Sequence, residues 1–150
     1  MAYVTTSQLE ARLGATLYAR LTDRVSGTTA SATVAQQLVD EAEAEANSYL
    51  AARYPVPISL AAHPELAGLL AARVLDIAEH NAWKGSPFVS DPPQRVHVLQ
   101  ATALQWFKDV AAGRIVLPVA RPSDLRPTTD DAAQFSARPR VWSPAEMDDL

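Results

Sequence analysis

No cysteine occurs among the 150 residues of this chain. Disulfides, thiolate metal sites and cysteine nucleophiles are therefore excluded, and the composition suits a cytosolic protein. Basic residues are also scarce. Thirteen Lys and Arg stand against seventeen Asp and Glu, for a formal charge of −4, the wrong sign for a protein that grips nucleic acid by neutralising phosphates. Long apolar runs are missing too. The longest apolar-looking stretch, 66–78, is broken by Arg73 and Asp76, so no membrane span is expected. Residues 1–8 have neither a basic n-region nor an apolar h-region and do not read as a signal peptide. Five scattered glycines, Gly14, Gly27, Gly68, Gly85 and Gly113, give no Walker or Rossmann spacing, and G-x-S-x-G does not occur.

What is present is ordinary globular material: 48% hydrophobic and 20% charged residues, enough for one modest core. Proline is absent before Pro55 and then punctuates the chain at Pro55, Pro57, Pro64, Pro87, Pro92 and Pro93, with five more between Pro118 and Pro144. Because proline removes a donor and clashes with the preceding turn, these positions should bound the elements.

Read this way, the chain is all-α: a bundle of about four helices over 1–119, with a short extended segment, and a long C-terminal arm over 120–150. The first helical element begins near Thr5 to Ser7, where Thr5 with Gln8, or Ser7 with Glu10, has capping-box spacing. Gly14 is its stop or break, and Leu9, Leu13 and Leu17 give its apolar side. Residues 22–33 read as a loop. A second helix over 31–53 carries Val34, Leu38, Val39, Ala42, Ala46, Tyr49 and Leu50 on one side and Asp40, Glu43 and Asn47 on the other. Pro55 and Pro57 end it. A third helix runs from Pro64 to about Trp83 on Leu66, Leu69, Leu70, Val74 and Ile77. A fourth, 92–112, uses Val96, Leu99, Ala103, Trp106, Phe107 and Val110, and Gly113 caps it. Residues 115–119 read as extended, and the polar, proline-rich arm follows.

Candidate chemistry is thin. Asp76 and His80 lie four apart on one helix with Glu79 between them, a pair that reaches one metal ion in principle. Neither His63 nor His97 adds ligand spacing, so a surface ion pair is the expected reading and no metal or other cofactor is expected. The acidic run Asp40, Glu41, Glu43 and Glu45 mostly points away from the apolar side and reads as a solvated face. Glu45 and Arg73 instead intrude on apolar stripes and are expected to pair where the second and third helices pack. No enzyme site emerges. In the arm, Phe135, Arg138, Arg140, Val141 and Trp142 are the residue types that anchor interfaces, and they are expected to order against a partner.

Several phrases together carry a family likeness: Met1-Ala2-Tyr3-Val4-Thr5, the run Asn47-Ser48-Tyr49-Leu50-Ala51-Ala52-Arg53-Tyr54-Pro55-Val56-Pro57, and Asp76-Ile77-Ala78. They continue in Ala103-Leu104-Gln105-Trp106-Phe107-Lys108-Asp109-Val110-Ala111-Ala112-Gly113 and Arg138-Pro139-Arg140-Val141-Trp142. The chain resembles the Mu-like prophage family of small head–tail joining proteins over nearly its whole length. Asn47 stands where that pattern has aspartate, and Trp142 where phenylalanine is frequent. The resemblance implies a connector subunit of the virion neck, made in the host cytoplasm and assembled in a ring of twelve copies under the portal protein. On the other side of the ring it implies a tail-side neck protein, a stopper or tail terminator. The arm would grip the portal, and Asp40, Glu41 and Glu43 would line a channel through which DNA passes without sequence-specific binding. A stopper or tail terminator is itself the competing reading, although those are more often β-rich. A small helical DNA-binding regulator would require a basic face that the sequence does not supply.

Overall fold

Helix boundaries follow from local chemistry at each end. The Thr5 hydroxyl accepts the Gln8 N–H at 3.3 Å while the Gln8 side chain accepts the Thr5 N–H at 2.8 Å, a reciprocal cap that starts α1 (Thr6–Leu13). Gly14, at φ 79°, takes a backbone conformation open mainly to glycine, and α2 (Ala15–Thr22) starts directly after it. The first expected element is thus two short helices with a break between them. The Ser31 hydroxyl accepts the Val34 N–H to begin α3 (Ala32–Leu50). That helix gives way to a turn over 51–53 rather than continuing to Arg53.

Pro64 opens α4 (Pro64–Gly85) at its first turn. The helix passes through Gly85, beyond the expected end at Trp83. Its stop comes from Pro87, which holds Ser86 extended at ψ 132°. Pro93 serves as N-cap for α5 (Gln94–Ala111), two residues later than expected. Gly113, at φ 77°, turns the chain out of it.

The computed structural model describes residues 3–121, and within them the fold is all-helical, with five helices and no strand. Helices α3, α4 and α5 pack on one another, and α1 and α2 lie across α3 and α4. The core runs through Val39, Ala42, Ala46 and Leu50 of α3, Leu70, Val74 and Ile77 of α4, and Ala103, Phe107 and Val110 of α5, all fully buried. The alanines of α3 let its neighbours approach closely around the large Phe107 ring. The apolar stripes are narrower than the sequence suggests. Leu69 is exposed, and Leu99 and Trp106 are only half-buried.

Two tyrosines tie the irregular segments to this core. The Tyr3 hydroxyl donates to Asn47 Oδ1 at 2.7 Å and accepts the Ile58 N–H at 2.8 Å. The Tyr54 hydroxyl accepts the Leu117 N–H at 2.9 Å. Residues 115–119 are therefore held by a side chain and a buried Leu117, not by strand pairing. The arm beyond residue 121, with Phe135, Arg138, Arg140, Val141 and Trp142, lies outside the described residues.

Replacing Tyr3 by Phe keeps the ring in place but leaves the buried Ile58 N–H without an acceptor. The expected cost is about 1–3 kcal/mol, read as a lower urea midpoint with an unchanged slope.

Candidate interaction surfaces

The most concentrated chemistry lies where α1 meets α4. Asp76 and Glu79 are one turn apart and buried, with Asp76 only 5% and Glu79 only 2% exposed. Arg12 of α1 spans both, its Nη2 on Asp76 Oδ1 and its Nε 2.8 Å from Glu79 Oε2. Arg95 of α5 donates to the other Glu79 oxygen at 3.0 Å. Arg73 of α4 approaches Asp76 at 3.8 Å. This corrects the expected surface ion pair: Asp76 and Glu79 are interior, and their partners are arginines rather than His80. A helical wheel finds the pair of carboxylates but not Arg12, which is 64 residues from Asp76.

Glu45 and Arg73 do not pair. The ion partner of Arg73 is Asp76 on its own helix. Glu45 is half-buried, within electrostatic reach of His80. A cation at i and a carboxylate at i+3 need no second helix to meet, and Arg73 takes that local partner.

The acidic face of α3 divides. Asp40 and Glu41 are exposed, Asp40 accepting only from Gln36 at 2.8 Å. Glu43 is committed to the fold, since its Oε1 accepts the N–H groups of Tyr3 and Val4.

Three features had no place in the sequence reading. The 22–33 loop is organised by Asp23, whose carboxylate accepts the N–H groups of Val25, Ser26, Thr28 and Thr29 and the Ser26 hydroxyl. The Ser26 hydroxyl and these amides hold its pKa far below the usual carboxylate range. The loop so braced presents Val25 almost fully exposed. An Asp followed by Ser and Thr is the local signal for such a turn. Second, the His80 ring meets that of His97 edge-on, with centroids 5.1 Å apart, and its Nδ1 is buried without a hydrogen-bond partner.

The third is an open groove of about 510 Å³ along α5 beside α4, lined mainly by apolar surface from Val98, Ala101 and Trp106. Two charged groups reach it, Arg73 and Asp109. Asp109 is matched by Arg114 and by Gln105. The Arg73 Nε, by contrast, is buried without an acceptor. Among the described residues no three metal-type ligands gather, and no helix is long and apolar enough to cross a membrane.

Compared with families of known proteins, residues 3–136 match the family described as Bacteriophage Mu, Gp36. The match spans most of the chain, which therefore belongs to that family and is a bacteriophage protein, as its Mu-like resemblance implied. Phe135 falls inside the matched span; Arg138, Arg140, Val141 and Trp142 follow it. A comparison with curated proteins finds no match.

Arg12→Ala leaves Asp76 and Glu79 buried with only Arg73 and Arg95 beside them. The expected loss is about 3 kcal/mol, the low end for a broken buried pair because those two partners remain, measured by chemical denaturation. Acid sensitivity should trace to His80. Burial and the adjacent His97 lower its pKa from the ordinary 6.5, with Lys84 adding and Asn81 and Glu45 opposing. Its contribution to stability is complete above the unfolded value and declines as pH falls toward the folded one, because the unfolded chain takes the proton first. The thermal midpoint of the wild type should fall between about pH 7 and pH 5.5, and His80→Gln should flatten that slope.

Proposed function

We propose that this member of the Gp36 family of bacteriophage Mu is a non-enzymatic head–tail connector subunit. It forms a ring, of twelve copies on the family resemblance, beneath the portal vertex and joins the DNA-filled head to the tail. The observation that carries the reading is family membership across residues 3–136, joined to an all-helical fold. A stopper or tail terminator of the same neck is the competing reading. The helical architecture favours a connector, because those alternatives are more often β-rich.

In this reading Phe135, Arg138, Arg140, Val141 and Trp142 grip the portal. Their large apolar and guanidinium groups gain most when desolvated in a partner's pockets. The exposed carboxylates Asp40 and Glu41 of α3 suit a channel wall along which DNA slides, since like charge keeps the duplex from sticking. Glu43 would serve that wall only indirectly, by fixing residues 3 and 4 to the same helix. A ring of this kind is heterologous and closes only at the right rotation per subunit. Weak contacts between neighbours, gathered on a portal template, suffice to complete it.

The test is binding to the cognate portal ring, with the intact chain and a chain truncated after Val119, read by native mass and cryo-electron images. The intact chain should decorate the portal symmetrically, and the truncated chain should lose that binding by at least about a hundredfold, as expected when two or more interface anchors are removed. Equal binding by both would transfer the interface to the bundle. Binding by neither would favour a tail-side position.

A further inference from the structure

The groove between α4 and α5 has an unbalanced charge at its edge. Three guanidiniums, Arg12, Arg73 and Arg95, share two carboxylates, Asp76 and Glu79. Arg12 and Arg95 have the short contacts. Arg73 has only the 3.8 Å approach to Asp76, and its Nε is buried without an acceptor. The surplus positive charge of the network is therefore carried by the one arginine that reaches the groove. Asp109, across the groove, is already met by Arg114 and Gln105. Val98 is 52% exposed and Trp106 half-buried, so apolar surface lies open beside an under-matched cation. A charge so placed, partly out of water and next to apolar walls, favours an occupant with apolar side chains interleaved with carboxylates.

The chain contains such a segment. Residues Glu146, Met147, Asp148, Asp149 and Leu150 set two apolar side chains among three carboxylates. The stretch with Arg138 and Arg140 has the wrong sign for Arg73, and residues 130–135 carry Phe135, which the reading above assigns to the portal. We infer that the α4–α5 groove is a subunit-to-subunit docking site that receives residues 146–150 of a neighbouring copy, with Arg73 facing their carboxylates and Trp106 and Val98 their apolar side chains. The inference rests on the ring reading above, in which each subunit must offer its neighbour two different surfaces. It gives the arm a second role: residues 135–142 toward the portal, residues 146–150 toward the next subunit.

The absence of cysteine makes a disulfide trap clean. Thr102→Cys places a thiol in the groove and Ala145→Cys one just before the segment. The full-length double variant is exposed to a mild oxidant and resolved on non-reducing gels. The expected result is a ladder of cross-linked dimers and higher species. It should be absent when Ser48→Cys, on exposed α3, replaces the groove thiol. Asp148→Asn with Asp149→Asn, and separately Arg73→Gln, should each slow trapping about tenfold, the loss of one charged contact. Asp148 and Asp149 lie outside α1–α5 in sequence, so a folding defect in Arg73→Gln does not decide the outcome. A closed monomer as the sole product would overturn docking on a neighbour, and so would no product, or trapping unaffected by the aspartate changes. Portal binding by the unmodified chain is scored separately. A failed trap with portal decoration intact defeats the groove and leaves the connector; a ladder without decoration does the reverse.

Discussion

The arrangement of this molecule depends on Arg12. Helices of eight residues such as α1 and α2 are not stable alone, so their position is set by what they dock against. Helix α4 in turn carries two carboxylates on a buried turn, an unfavourable placement without partners. Arg12 resolves both problems at once, since the guanidinium that fixes α1 also satisfies Asp76 and Glu79. Leu9, fully buried one turn earlier, adds apolar contact to the same junction. Glu43 then ties residues 3 and 4 to α3. The N-terminal segment is in this way clamped to both long helices it crosses, and the angle between those helices is fixed with it.

Much of this was legible in the sequence, for a simple reason. Helix ends are local, and proline, glycine and hydroxyl caps act within a few residues, so the bounds set by Thr5, Ser31, Pro64 and Gly113 could be read directly. Three ends fell elsewhere: α3 stops at Leu50, α4 runs on to Gly85 and α5 starts at Gln94. Gly85 is still helical, and the stop comes from Pro87 acting on Ser86. The apolar faces were legible as well, because a helical period reports which side is buried. It does not report what lies opposite. The partner of Asp76 is set by how α1 folds back, and no spacing rule reaches that far. For the same reason the pairing of Glu45 with Arg73 was a sound inference about faces and a wrong one about neighbours.

The groove was illegible on different grounds. Trp106 belongs to an apolar stripe, which predicts its burial, while Val98 and Ala101, which also line the groove, lie off that stripe. In the fold the three-helix core closes around Phe107 and Val74, leaving the outer edge of the stripe uncovered. A stripe wider than the core requires is the sequence trace of a surface that something else covers, but width alone does not separate that from a loosely packed helix. The separation comes from charge. Asp109 is satisfied within its own helix end, whereas Arg73 is not.

The charges thus fall into two classes with different consequences. Asp76 and Glu79 are buried, with Arg12 and Glu43 half-buried against the fold, and salt screens their interactions less than those of open charges. Asp40 and Glu41 are exposed, and the half-buried Arg73 reaches the open groove, so their interactions weaken more with ionic strength. A ring subunit of the kind proposed, which must remain intact while its contacts with neighbours form and re-form, would benefit from that division. In the proposed ring, buried pairs would keep each subunit rigid, so that the rotation between successive copies is reproducible and the ring can close. The contact proposed at Arg73, reached from the open groove, would be weak enough to be corrected before closure. Were the same contacts as enclosed as the Arg12 junction, an early misplaced neighbour would stay bound, and an open chain rather than a ring would follow.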